Sequence, residues 1–268
     1  MARLALPSAP EQWTPAKLWA LLVAAIITVL ALVAGGVWSL VSVFNDGGSD
    51  HTSPASPAVA DGGTPEDQLA AQALPTAPDS AAQPAPATTE VGRSIVVPLS
   101  TRQGAAYVPS GFPHSAEGAM AQMIAIDTAA LEGGSVPRAQ QVIAAWAAPG
   151  GPTPASWSGV SAVAQLVSGQ TDIEVRVSAP MGVIKGTVGD DYVVPCVDFV
   201  LTTTVNGPGG PRTIRTAAAD CQRMTWEGHR WVVAAGAEPA VPPSIWPGTQ
   251  AALDAGYAWL TTEKETSK

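Results

Sequence analysis

Charged residues are scarce in this sequence: they make up 13% of 268 residues, and acids outnumber bases by 22 to 13. The net charge of −9 argues against a general nucleic-acid-binding surface, because such a surface has to be basic to meet the phosphates. The chain also contains no P-loop, no H-E-x-x-H motif and no G-x-S-x-G motif. Its histidines have no second His, Cys or carboxylate at ligand spacing, so we expect neither a metal nor a cofactor; they are His51, His114 and His229.

Candidate acid–base carboxylates are few, and each has a simpler structural interpretation. Asp190 and Asp191 are typical of a polar turn between strands, and we expect Asp198 on an exposed strand face. The pair of His114 and Glu117 is interpreted as part of a helix start rather than as a catalytic dyad. No catalytic constellation results, so the sequence does not predict an enzyme.

A long run without charge dominates the N-terminal part of the chain. Leu18–Phe44 contains no charged residue, and about 20 apolar residues suffice to cross a bilayer as a helix. Trp19 and Trp38 lie towards its two ends, where indoles favour the headgroup region. We therefore predict a transmembrane helix at 18–44, since so long an uncharged run is unusual for a core helix of a soluble domain.

The flanking charges predict the orientation of this span. Bases precede it at Arg3 and Lys17, whereas acids follow it at Asp46 and Asp50. By the positive-inside rule, residues 1–17 are cytoplasmic and the rest of the chain is extracytoplasmic. The apolar core of a cleaved signal peptide has only about 7–15 residues, so this longer run is interpreted as an uncleaved signal anchor in the cell membrane.

The next segment, residues 45–93, is rich in Ala, Pro, Ser, Thr and Gly. It contains no aromatic residue and holds seven acids against one Arg. Such a segment buries too little apolar surface to offset the entropy of ordering it, so we predict a disordered linker with at most a short helix near Asp67–Leu74. The linker either spaces an outer domain from the membrane or is a tolerated insert.

Residues 94–268 are numerous enough for one extracytoplasmic domain, and their pattern changes from helical to strand-like, which predicts an α+β fold. Ser115 is the predicted N-cap of a first helix that ends at Gly133-Gly134. Ser135 starts a second helix. Residues 155–168 fit either a third short helix or a strand.

After Gln170, apolar residues alternate with polar ones and turn residues separate the runs, which predicts a meander of four or five antiparallel strands. The helices are expected to pack on one face of this sheet. The predicted strands are Ile173–Val177, Val183–Val188, Tyr192–Val205, Thr213–Trp226 and Trp231–Ala235. A C-terminal helix, Gln250–Leu260, follows with Thr249 as its cap.

Two cysteines fall opposite each other in one predicted hairpin. If the chain around Cys196 and Cys221 folds about a turn centred between Pro208 and Gly209, the numbers of any two paired residues sum to 417. The numbers 196 and 221 also sum to 417, so the two cysteines are predicted to be paired. Opposed Cα atoms in a sheet lie about 4.5–5.5 Å apart, within the range that a disulfide spans. An extracytoplasmic location favours a structural disulfide over two buried free thiols.

Aromatic residues mark the following turn. Trp226 and Trp231 form a cross-strand pair by the same register argument, which stabilises the hairpin or, alternatively, forms a pocket wall or a partner surface. Trp246 lies in a Pro-rich stretch and is predicted to dock the crossing to the last helix onto the sheet. Together with Tyr257, these tryptophans are the candidate residues for a partner or pocket surface.

Three motifs in the predicted outer domain form a recognisable set. They are Gly111–Ala119 at the first helix start, Asp220–Trp226 running into Gly228–Trp231, and Trp246-Pro247-Gly248 with Ala255-Gly256-Tyr257 near the end. Together with the predicted anchor and the Ala/Pro-rich linker, they resemble single-pass membrane proteins encoded on actinobacterial conjugative and integrative elements, and the resemblance covers roughly residues 94–262. Such proteins are similar in organisation to outer-domain components of type IV secretion and Gram-positive conjugation channels. The resemblance implies a nuclear-transport-factor-like fold, with helices on a curved antiparallel sheet, and a scaffold role without catalysis.

Three functions are therefore compared. The leading hypothesis is a membrane-anchored assembly subunit, in a conjugation-type apparatus, that binds other envelope proteins or copies of itself. The second is a cell-envelope ligand-binding module, because a helix cone over a curved sheet can enclose an apolar pocket. The third is a wall-acting enzyme, for which no motif provides support.

Overall fold

The computed structural model describes residues 63–169, 172–207 and 209–262. The predicted cytoplasmic segment 1–17 and transmembrane helix 18–44 lie outside these residues. Within the described ranges, no helix combines the length and the apolar character that a membrane crossing requires.

The folded domain begins earlier in the chain than predicted. Helix α1, Pro65–Ala71, starts with a capping box and buries Leu69 against the sheet. An ion pair holds α1 in this position, because the guanidinium of Arg223 binds the carboxylate of Asp67 at 2.8 Å. The same contact holds the pKa of the Asp67 carboxyl below its usual range. The prediction of a disordered linker is therefore wrong for residues 63–93. Their few apolar side chains bury against distant strands, a contact that local composition cannot reveal.

Two longer helices begin where the sequence predicts, and a third lies in the segment whose assignment was left open. Helix α2, Ala116–Leu131, is capped by the Ser115 hydroxyl, which accepts a hydrogen bond from the backbone N–H of Gly118 at 3.1 Å. Helix α3, Val136–Trp146, is capped in the same way by Ser135. Helix α4, Ser158–Leu166, settles the open assignment of that segment in favour of a helix.

Seven strands form one strongly curled, mixed sheet. The strands are β1 Ser94–Val97, β4 Ile173–Val188, β5 Tyr192–Val205, β6 Arg212–Cys221, β7 Met224–Trp226, β8 Trp231–Val233 and β9 Ala258–Thr262. Their order in the sheet is β1-β9-β4-β5-β7-β8, and β6 also lies beside β5. Strands β1 and β9 are parallel, and the remaining pairs are antiparallel. Two short strands, β2 Arg102–Gln103 and β3 Pro109–Ser110, pair separately, and α5, Gln250–Asp254, precedes β9.

The α+β class is confirmed, but the predicted sheet of four or five antiparallel strands is wrong in number and in direction. The runs predicted as two strands between Ile173 and Val188 are one strand, β4, which register shifts bend after Ser178 and after Ile184. The predicted strand Thr213–Trp226 is divided into β6 and β7.

The C-terminal helix is shorter than predicted. Thr249 caps it as expected, but it ends at Asp254 rather than at Leu260. Gly256 then takes the left-handed conformation, with φ of 91°, and the chain enters β9. The parallel partner of β9 is β1, which lies about 165 residues earlier (Ser94 opposite Trp259), so no local pattern could indicate the pairing.

Strand β5 is the centre of the domain, because its first ten residues are buried on both faces. Its odd-numbered residues, such as Phe199, pack with helices α2–α4 in the main core. Its even-numbered residues, such as Val194, face the opposite side, where α1 covers them. The segment around Ile245 and Tyr257 covers the same side further along, over Met181 of β4. The sheet is therefore a middle layer.

The predicted hairpin register and disulfide are both confirmed. Cys196 lies opposite Cys221, and the same register continues to the pair of Val205 and Arg212. The two cysteines are bonded, with their Cα atoms 4.0 Å apart.

Gly118 is required at the start of α2, which gives a first prediction. A Cβ on Gly118 would overlap the carbonyl oxygen of Pro113, and that oxygen accepts a hydrogen bond from the indole N–H of Trp231 at 2.9 Å. Gly118→Ala is therefore expected to destabilise the domain by about 2 kcal/mol, although Ala favours helices. Gly207→Ala, with no atom near the added methyl, is the control and should change little. Urea unfolding followed by Trp fluorescence measures both, and equal stabilities would contradict the overlap.

Candidate functional site

A partly enclosed cavity of about 240 Å³ lies between the sheet and helices α2 and α4, beside β6. Most of its wall is apolar, and three carboxylates also line it: Asp127 from α2, Asp220 from β6, and Glu238 from the segment after β8. We call it the carboxylate cavity. Apolar walls with a few convergent polar groups are typical of small-molecule sites.

Asp127 is the most isolated polar group of the cavity. It is 3% exposed, and neither oxygen of its carboxyl group has a hydrogen-bond partner among the described residues. Burial raises the pKa of Asp127 well above its usual range, and the negative charge of Asp220 raises it further. Asp127 therefore favours the protonated form when the cavity is empty.

The other two carboxylates have partial support. Burial raises the pKa of Asp220 to about 6, although hydrogen bonds from the Gln222 side chain and the Cys221 backbone oppose the rise, and the charge of Glu238 adds to it. Glu238 accepts a hydrogen bond from the backbone N–H of Ser158 at 2.7 Å, which holds it at the start of α4. Across the described ranges, none of the three carboxylates has a Lys, Arg or His ion-pair partner.

A second site is an exposed groove of about 530 Å³ between α2 and the segment that follows β1. We call it the apolar groove; its apolar side chains include Val97, Leu99, Tyr107, Phe112, Ile124 and Ala129. Leu99 is 50% exposed and Tyr107 is 77% exposed. Side chains of this size are normally withdrawn from water, so the groove is a candidate contact surface.

The loop that carries Tyr107 is held in an unusual conformation. Ala106 and Tyr107 both have positive φ, at 50° and 53°, which residues other than glycine rarely adopt. The indole N–H of Trp146 donates to the carbonyl of Ala105 at 3.0 Å, and Gln103 donates to the carbonyl of Tyr107 at 3.3 Å. These contacts hold the backbone of the loop that presents the exposed Tyr107.

Strand β1 extends the apolar groove with a free backbone edge. Within the described part of the chain, β1 pairs only with β9, and it leads through Val97 directly into the groove. An unpaired edge offers N–H and C=O groups to an incoming strand. Edge and groove together suit an extended peptide whose side chains need apolar pockets.

The predicted pair of Trp226 and Trp231 is confirmed, with ring centroids 5.3 Å apart. His114 stacks on Trp226 at 4.4 Å, and its Nε2 lies 2.8 Å from a carboxylate oxygen of Asp191. The carboxylate that contacts His114 is thus Asp191 in the predicted polar turn, and not Glu117. Because Trp231 is fully buried, it stabilises the hairpin and cannot belong to an exposed partner surface.

The prediction that Asp198 lies on an exposed strand face is wrong. Its side chain is 0% exposed, since it points to the sheet face that α1 and the segment around Ile245 cover. Burial raises the pKa of Asp198 to about 8, and the backbone of Ile245 offsets part of the rise. Burial also raises the pKa of the nearby Tyr257 hydroxyl, and the negative charge of Asp198 adds to this rise.

The remaining candidates have structural positions. Tyr257 is buried and donates to the carbonyl of Pro243 at 2.9 Å, so it too cannot form an exposed surface. Trp246 is half-buried, and its backbone N–H donates to the carbonyl of Ala81. Neither residue lines the carboxylate cavity or the apolar groove. The segments that the structure describes hold no group of three or more metal-ligating side chains, and His51 lies outside them.

Sequence reasoning missed the two sites themselves, although one signal was present. Asp127 follows Met123 by four residues and precedes Ala130 by three, so it lies on the buried stripe of α2. A carboxylate on an apolar stripe is a candidate functional group, because burial without a partner is costly. Asp220 and Glu238 carried no such signal, since they reach the cavity only through the tertiary fold.

In comparisons with known proteins, no protein-family model matches this chain, and no curated protein matches it either.

Proposed function

We propose that the chain is a membrane-anchored assembly subunit of the cell envelope, of the kind found in conjugation or type IV secretion-like machines. Its folded domain lies outside the cytoplasm and holds an extended segment of another envelope protein along β1 and in the apolar groove. The observation that carries this proposal is the groove, where exposed Leu99 and Tyr107 adjoin an edge of β1 that no strand of the described residues pairs with. The resemblance of residues 94–262 to proteins of conjugative elements supports the same class of function.

The chemistry of the groove indicates what the partner presents. Its wall is made mainly by apolar and small side chains, with Glu132 and Arg138 as its charged residues. An extended segment with alternate apolar side chains would add a strand to β1 and place those side chains in the groove. The exposed Tyr107 suits an anchor residue, because its backbone is held and a tyrosine side chain has only two χ angles to order when it binds.

Photo-cross-linking in intact cells tests the proposal. A photoreactive phenylalanine analogue in place of Tyr107 is expected to form an adduct with another envelope protein. Ala129→Arg in the same chain should abolish that adduct, because it places a charge in the apolar groove. The same analogue at Ile214, which is 56% exposed on β6 and does not line the groove, is the position control.

The identity of the adduct decides the outcome. A single envelope protein captured at position 107 but not at 214 is the expected result. Adducts at both positions, or none at 107, would contradict groove docking. A link to a second copy, or to the chain's own N-terminal part, would overturn the assignment of the occupant to another protein.

A further inference from the structure

The carboxylate cavity has polar groups that the protein itself does not satisfy. Asp127 is almost fully buried, and both of its carboxyl oxygens lack a partner among the described residues. The indole N–H of Trp157, 1% exposed on the same cavity wall, lacks one too. An unpaired buried polar group is destabilising, and a ligand that donates hydrogen bonds to Asp127 would satisfy its two oxygens.

The charge around the cavity has one sign. Asp127, Asp220 and Glu238 converge on it, and over the ranges described no basic side chain forms an ion pair with any of them. A ligand that supplies positive charge and hydrogen-bond donors therefore complements this wall, whereas an anion is repelled. A metal ion fits poorly, because the described residues provide no set of three ligands.

We propose that the carboxylate cavity binds a small organic cation, a primary amine carried on an apolar body. The ammonium group donates to Asp127 and lies near Asp220, while the body packs against Trp157, Phe199 and Leu201. The rings of Trp157 and Phe199 add cation–π attraction if the ammonium lies over a face. This site is separate from the apolar groove, and no residue lines both.

The volume limits the size of the ligand. About 240 Å³ corresponds to roughly eight water molecules at ~30 Å³ each. The ligand therefore has about eight to ten non-hydrogen atoms, the size of an aralkylamine. Longer amines fit only if their tails leave through the open side.

Proton release accompanies binding in this scheme. Burial raises the pKa of Asp127, and the negative charge of the facing Asp220 raises it further, so the empty cavity favours the protonated acid. An ammonium reverses this balance and stabilises the carboxylate, so a proton leaves to solvent as the amine binds. Affinity is therefore expected to rise with pH for as long as Asp127 is protonated in the empty cavity.

Calorimetry on the full chain in lipid nanodiscs tests the proposal, with benzylamine as the probe and benzyl alcohol as its neutral isostere. At pH 8 benzylamine is expected to bind at least about tenfold more tightly than the alcohol, which is about 1.4 kcal/mol. Titration in two buffers of different ionisation enthalpy should show the release of up to one proton for each amine bound.

Two variants separate recognition from folding. Asp127→Asn keeps the shape of the side chain but removes its charge, so it should abolish both the preference for the amine and the proton release. Asp190→Asn, at an exposed turn away from the cavity, should leave both unchanged. Equal binding of amine and alcohol, no amine binding up to about 10 mM, or a preference that survives in Asp127→Asn would each overturn the proposal.

Discussion

Asp198→Asn is expected to raise the free energy of unfolding at pH 8 by about 5 kcal/mol. In the folded protein, burial raises the pKa of Asp198 from 3.8 to about 8, whereas in the unfolded chain the carboxyl titrates near its ordinary value. Between about pH 4 and pH 8 the folded state thus holds a proton that the unfolded state has lost. The free energy of unfolding then falls by ~1.4 kcal/mol for each pH unit, and Asn removes this loss because it does not ionise.

The pH series is the sharper part of this experiment. Wild type and variant should have similar stability near pH 4, and their difference should widen up to about pH 8 and then level off. Asp190→Asn, an exposed carboxylate on the neighbouring turn, is the matched control and should follow the wild type throughout. An unchanged pH dependence in Asp198→Asn would mean that folding does not raise the pKa of Asp198, and it would contradict the unfavourable burial of this carboxyl group.

Replacing both Cys196 and Cys221 by Ala is expected to lower the free energy of unfolding by about 3 kcal/mol. The disulfide closes a loop of 25 residues, and its loss restores conformational freedom to the unfolded chain. The hairpin register should survive, because ten residue pairs of β5 and β6 fix it independently. The variant is therefore expected to fold with an unchanged circular dichroism spectrum but a lower urea midpoint.

Reduction provides the internal control for this double variant. A reductant should lower the urea midpoint of the wild type to that of the variant, and it should leave the variant itself unaffected. A wild-type protein that ignores the reductant would show that the two thiols are not bonded in the isolated chain.

Local chemistry explains which parts of the fold could be predicted. Ser115 and Ser135 cap helices because their hydroxyls reach backbone N–H groups three residues later. The cysteine pair followed from the period of a hairpin, since one turn fixes every paired position in both strands. Each of these inferences needs only residues that are close in sequence or joined by a single turn.

The errors share one physical cause. Residues 63–93 were expected to be disordered, but α1 and the chain after it cover the second face of the sheet. Because these residues cover that face, Asp198 is buried. The wrong prediction of a disordered linker and the wrong prediction of an exposed Asp198 therefore have the same cause. The pairing of β1 with β9 likewise joins distant segments, and its register depends on packing that no local pattern encodes.

The candidate sites were harder to predict than the fold. Trp231 and Tyr257 were among the candidates for a partner or pocket surface, yet their rings fill the core. Asp127 was detectable in principle from its place on the buried stripe of α2. The apolar groove was not, because Leu99 follows β1 and Tyr107 lies in a separate turn with positive φ, and no local pattern brings the two together.

The proposed contact with another envelope protein needs the folded domain to lie outside the cytoplasm, and site-directed labelling tests this location most directly. Ile214→Cys places a thiol on an exposed residue of β6, while the native cysteines are bonded to each other and buried. A membrane-impermeant maleimide is expected to label this variant in intact cells as fully as in permeabilised cells, with the wild-type chain as the unlabelled background. Labelling that appears only after permeabilisation would place the domain in the cytoplasm and contradict both the proposed orientation and the envelope partner.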